Sequence, residues 1–163
     1  MQSVSVQFPV KSYIKKFLVY KFGDNHTYSQ HSVLAPIIRS VLSKETTQYS
    51  PKFQTQHYYT INLSDFYISF YGVFINKKNI NEFNNDIDAL FRSELFHFMV
   101  FNKEYYNIKY RDTLRKMLES MVITETDVKL ETILKDFTRK KDKTNALNLG
   151  TFLKNKNISR KTA

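Results

Sequence analysis

Between Asn79 and Phe101 the apolar residues Ile80, Phe83, Ile87, Leu90, Phe91, Leu95 and Phe98 recur at the 3.6-residue period of an α-helix, with Glu82, Asp86, Asp88 and Arg92 elsewhere on the wheel. The last two turns of this segment are apolar on nearly every side, a pattern that belongs to a helix buried centrally. The rest of the chain therefore has to supply the layers that cover it.

Val4, Val6 and Phe8 alternate with polar residues up to Pro9, which predicts a short strand. Tyr13, Ile14, Phe17 and Leu18 then mark a helix from Lys11 to Phe22 with Gly23 as its stop, and Asp24 to Gln30 reads as a polar loop. A second helix is expected over Ser32 to Ser43, with Pro36 delaying its start. Glu45 to Gln54 has no periodicity and reads as a loop. Tyr58 to Leu63 and Phe66 to Ile75 are dense in β-branched and aromatic residues, which predicts a β-hairpin, although the run from Phe66 also suits a helix.

After the long helix, Ile108, Tyr110, Leu114, Met117, Leu118 and Met121 mark another over Asn107 to Met121. Thr124-Glu125-Thr126-Asp127 resembles a capping box, and Leu130, Ile133, Leu134 and Phe137 form the stripe of a last helix from Val128 to Lys141. The expected fold class is α+β: a mostly helical single domain, residues 1–143, with a small antiparallel β element. A basic, partly flexible tail is expected over 144–163. With 163 residues, 42% of them hydrophobic and 15% aromatic, such a domain has ample core material and buries roughly two-thirds of its unfolded surface.

Charge is distributed unevenly. The formal net charge is +10. Lys135 to Ala163 carries nine Lys/Arg against two acids (+7), Met1 to Asp24 four against one (+3), and the stretch between balances at twelve against twelve. A neutral body with cationic ends suits a polyanionic partner held by counterion release. Asn107 to Met121 and Val128 to Lys141 have the dimensions of a helix-turn-helix unit, in which the second helix enters a major groove. Its phosphate-contacting candidates are Lys129, Lys135, Arg139, Lys140, Lys141 and Lys143, flanked by Arg111, Arg115 and Lys116. Lys154, Lys156, Arg160 and Lys161 would extend the site as an arm. Leu147, Leu149, Phe152, Leu153 and Ile158 lie in the same tail, and phosphate binding does not explain them. They suggest docking on a protein partner or a second copy.

Other chemistry finds little support in the sequence. The chain has no cysteine, which excludes disulfides and thiolate metal sites. Three isolated glycines, Gly23, Gly72 and Gly150, cannot build a standard phosphate-cradling loop. His26, His31, His57 and His97 lack metal-ligand spacing, and Glu82, Asp86 and Asp88 read as the solvated start of an amphipathic helix rather than as a nuclease cluster. Exposed tyrosines of the 58–75 segment could stack on bases, but almost no Lys or Arg accompanies them. No secretory signal or apolar span of ~20 residues is present, so a soluble, cytoplasmic protein is expected. The abundance of Asn, Lys, Ile, Tyr and Phe beside few Gly and Pro hints at an AT-rich genome, as many bacteria and their phages have. The expectation is a non-enzymatic nucleic-acid-binding protein of bacterial or phage type, without metal or cofactor and with DNA favoured over RNA. The alternative is a structural or assembly protein whose basic tail docks an acidic partner or packaged nucleic acid.

Overall fold

The computed structural model describes residues 3–45, 55–75 and 79–143. In chain order its elements are β1 (Ser3–Pro9), α1 (Ser12–Phe22), β2 (Asn25–Thr27), α2 (Ala35–Val41), β3 (Leu42–Ser43), β4 (Tyr58–Ser64), α3 (Asp65–Tyr71), β5 (Phe74–Ile75), α4 (Ile80–Tyr106), α5 (Tyr110–Ser120) and a sixth helix, α6, over 130–143. The fold is α+β. No helix among the described residues is long and apolar enough to cross a membrane.

Alternation places the sheet. Val6 and Phe8 of β1 and Tyr59, Ile61 and Leu63 of β4 turn inward, and the two strands pair antiparallel from Ser3↔Ser64 to Pro9↔Tyr58. β2 pairs with β4 in parallel, from Asn25↔Thr60 to Thr27↔Asn62, giving the order β1-β4-β2. Within the loop expected at Asp24 to Gln30, these three residues thus form an edge strand. Burial of Tyr59 pushes its hydroxyl pKa up to about 12, and that hydroxyl donates to the Gly23 carbonyl at 3.0 Å, tying β4 to the end of α1.

The hairpin expected over Tyr58 to Ile75 does not form, because β1 and β2 already occupy both edges of β4. The chain instead turns at Ser64 into α3, where Asp65 lies in the first turn, the favourable end for an acid. Phe66 and Phe70 pack at i, i+4 with ring centroids 4.9 Å apart and planes tilted by 53°. Gly72 ends the helix at φ 81°, and β5 then pairs with β3. A Cβ on Gly72 would lie 2.1 Å from the Ser43 carbonyl oxygen, so glycine is needed there for close approach as well as for its dihedral.

α4 carries the core. Ile80, Phe83, Ile87, Phe91 and Leu95 of the expected stripe are buried, with Asn84 and Met99 beside them, while Leu90 is part-buried and Phe98 exposed. Phe91 receives the rings of Phe17 at 5.3 Å and Tyr13 at 5.8 Å from α1. Buried Asn84 is fully used: its amide nitrogen donates to the carbonyls of Pro9 (3.1 Å) and Ile80 (2.9 Å), and its oxygen accepts the Lys11 N–H (3.0 Å). It fixes the β1–α1 junction onto α4.

The end of α4 departs from the expected central burial. Phe98 is 51% exposed, Phe101 47%, Tyr105 71% and Tyr106 64%. The helix outruns its cover: α1 ends at Phe22, with Lys21 paired to Glu94, and none of the described residues buries the turns that follow on that side.

Candidate nucleic-acid interface

The basic helices are positioned by a turn that uses its residues fully. α5 buries Thr113, Leu114 and Leu118 and closes in a Schellman motif: the Ile123 N–H donates to Leu118 O (2.8 Å) and the Val122 N–H to Glu119 O (2.9 Å). Val122 occupies the left-handed position at φ 57°, where glycine is usual. Asp127 then reaches back to accept the Thr124 N–H at 2.9 Å, one half of the expected capping box. The other half is absent, because the Thr124 hydroxyl donates to Asp127 as well.

Asp127 also accepts from Ser12 Oγ and from Lys16 Nζ, each at 2.6 Å, so the turn before α6 is tied to α1. Burial pushes the Asp127 carboxyl up, but the bonds from Lys16, Ser12 and Thr124 outweigh it and hold its pKa well below the usual carboxylate range.

Further along, α6 is held from two sides. Leu130, Ile133 and Phe137 are buried, and the Phe137 ring lies 5.1 Å from Phe96 of α4 and 4.6 Å from Tyr110 of α5. Arg92 donates to Asp136 (2.5 Å) and to Asp88 (2.8 Å), and Asp88 accepts the Tyr13 hydroxyl at 3.0 Å. This chain of charges crosses α6, α4 and α1. Burial raises the Tyr13 pKa well above the ordinary tyrosine value, and the adjacent Asp88 carboxylate adds to the shift. Lys140 Nζ sits 4.6 Å from the Phe96 ring, while Lys141 Nζ lies 4.9 Å from the Tyr110 ring and donates to its hydroxyl at 3.0 Å.

These contacts sort the sequence candidates. Lys135, Arg139 and Lys143 are exposed at i, i+4 and i+8 and form the outward ridge of α6. Arg139 Nη1 lies 3.7 Å from Asp136 Oδ1. Lys140 and Lys141 lie on the flanks of the helix against aromatic rings, and Lys129 is exposed just before its first turn. Arg111 pairs with Glu131, and Arg115 lines the same groove between α5 and α6; Lys116 is exposed outside it. Lys154, Lys156, Arg160 and Lys161 fall outside the described residues.

The acidic partners are what the sequence hid. Lys16 is engaged by Asp127 and Lys21 by Glu94, so two of the four N-terminal lysines neutralise acids of the body. Two of the four positive charges of that segment thus serve packing within the body, and Lys15 remains exposed. Asp88, the residue that would make Glu82 and Asp86 a nuclease-like cluster, is held by Tyr13 and Arg92. Among the described residues no three His, Asp or Glu side chains come together as a metal site. His26 Nε2 lies 3.1 Å from Ser32 Oγ, and its ring stands against Phe22.

Compared with protein-family models, with curated proteins and with solved structures, the chain matches none.

Proposed function

We propose that this is a non-enzymatic nucleic-acid-binding protein, with DNA as the favoured ligand, that grips phosphates through α6 and the segment after it. The observation that carries the reading is the exposed ridge of Lys135, Arg139 and Lys143 on a helix whose other sides are fixed by Arg92, Phe96 and Tyr110. A helix backbone already fixed by packing leaves only the side chains to be ordered on meeting phosphates. The ridge leads into residues 144–163, which add Lys154, Lys156, Arg160 and Lys161 and contain no acid. Lys129, Lys140 and Lys141 flank the ridge, and Arg115 and Lys116 offer outer contacts.

The test is a fluorescence-anisotropy titration of the full chain against duplex DNA, single-stranded DNA and RNA over a salt series. Log K should fall linearly with log salt on duplex. The triple variant K135Q/R139Q/K143Q should lower that slope by about 2.7, at about 0.9 for each phosphate it no longer neutralises. Absence of binding at low salt, or an unchanged slope in the variant, refutes the proposal.

A second reading, a structural or assembly protein, is favoured by the exposed Phe98, Phe101 and Tyr105 of α4, which phosphate binding does not use. Light scattering tests it: a strict monomer that retains no acidic protein partner speaks against it.

A further inference from the structure

Two features remain unexplained by nucleic-acid binding, and they lie next to each other. One is the aromatic face at the end of α4, where Phe98 is 51%, Phe101 47% and Tyr105 71% exposed. Exposed apolar rings of this kind gain by leaving water, and none of the described residues buries them. The other is the apolar content of the sequence after Lys143, with Leu147, Leu149, Phe152 and Leu153 set among polar residues.

The direction of α6 connects the two. Asp136 meets Arg92, and Lys140 meets Phe96, so α6 runs in the same direction as α4. Continued in step, these pairs bring Lys143, at the end of α6, level with about Met99, among the turns that carry Phe98 and Phe101. The chain therefore leaves α6 beside the aromatic face, and Phe96, against which Lys140 packs, is itself the near edge of that face. Reach is not limiting. From Phe96 to Tyr105 is nine residues of helix, about 13 Å at 1.5 Å per residue, and the nine residues from Lys143 to Phe152 span up to roughly 30 Å when extended.

We propose that the occupant of this face is the chain's own segment 144–163, which seats Leu147, Leu149, Phe152 and Leu153 on Phe98, Phe101 and Tyr105. The inference is independent of nucleic-acid binding, since it rests on apolar complementarity and the place where α6 ends.

A chain without cysteine makes the test direct. In the full-length protein, F101C/F152C places one thiol on the face and one in the segment. T138C/F152C is the control, with its first thiol on the exposed side of α6, comparably close to where the segment starts. At micromolar protein, intramolecular disulfide formation in the first pair should exceed the control by on the order of ten-fold or more, the gain in effective concentration that docking has over tethering. Adding L153S should reduce that advantage, with circular dichroism verifying that every variant is folded. Equal rates in the two pairs overturn the proposal. So does cross-linking that occurs only between molecules, which would assign the face to a second copy.

Discussion

Asp127→Ala should destabilise the protein by about 2–3 kcal/mol, a figure that follows from counting what the carboxylate does. Its side chain is 7% exposed and accepts four hydrogen bonds, from Ser12 Oγ, Lys16 Nζ, Thr124 N and Thr124 Oγ. A bond to a charged acceptor contributes about 1.5–3 kcal/mol, but the four do not add. Lys16 is 32% exposed and returns to water when released, and the Thr124 bonds lie in an exposed turn where solvent replaces them. With an m-value of about 2 kcal/mol/M, the urea midpoint should fall by about 1–1.5 M. A double-mutant cycle of Lys16→Met with Asp127→Ala should retain a coupling of about 1 kcal/mol, because the two groups are in direct contact.

The same carboxylate predicts a pH dependence. Its pKa is lowered in the folded protein, so its contribution is complete above the unfolded carboxyl value of about 3.9 and is lost as pH falls from there toward its own lowered pKa. The midpoint gap between wild type and Asp127→Ala should therefore be largest near neutrality and shrink below pH 4. A shift under about 0.5 kcal/mol at pH 7, the size expected of an ordinary surface change, would refute the reasoning.

Two backbone substitutions should move stability in opposite directions. Val122→Gly relieves a β-branched residue held at φ 57° and should raise the urea midpoint, by about 1 kcal/mol in stability. Gly72→Ala forces a Cβ to within 2.1 Å of the Ser43 carbonyl oxygen at φ 81°, and should cost more than about 2 kcal/mol by the same urea titration.

Periodicity made most of the helices legible, since the stripes of Tyr13 to Leu18, Ile80 to Leu95 and Leu130 to Phe137 each pack as their spacing dictates. It also exposed the cationic ridge, because Lys135, Arg139 and Lys143 share one face of any helix that buries Ile133 and Phe137. Where the reading failed, the deciding interactions were distant in sequence. Phe66 to Tyr71 has the composition of a strand, but whether β4 had an edge to offer depended on β1 and β2. The apolar end of α4 suggested burial because its pattern carries no information about how far α1 extends. Lys16 entered only as one of four N-terminal charges, because its partner, Asp127, lies 111 positions away in a turn whose acid had a local role in the capping box.

The bond between those two residues also bears on how the chain becomes a protein. Lys16 and Asp127 are 111 positions apart, and closing a loop of that length costs about 4 kcal/mol of chain entropy before any contact is gained. At a synthesis rate of about 5–20 residues per second, α1 leaves the ribosome roughly 6–20 s before its anchor exists. Within that interval the first helix can already meet Asp88 and Glu94 of α4, but the partner of Lys16 comes last. The last helix, by contrast, arrives with its docking surface waiting. The start of the cationic helix is thus anchored to the opposite end of the polypeptide, and a chain lacking its first two dozen residues would keep every charge of α6 and its contacts to Arg92, Phe96 and Tyr110 while losing the tether on the turn before it.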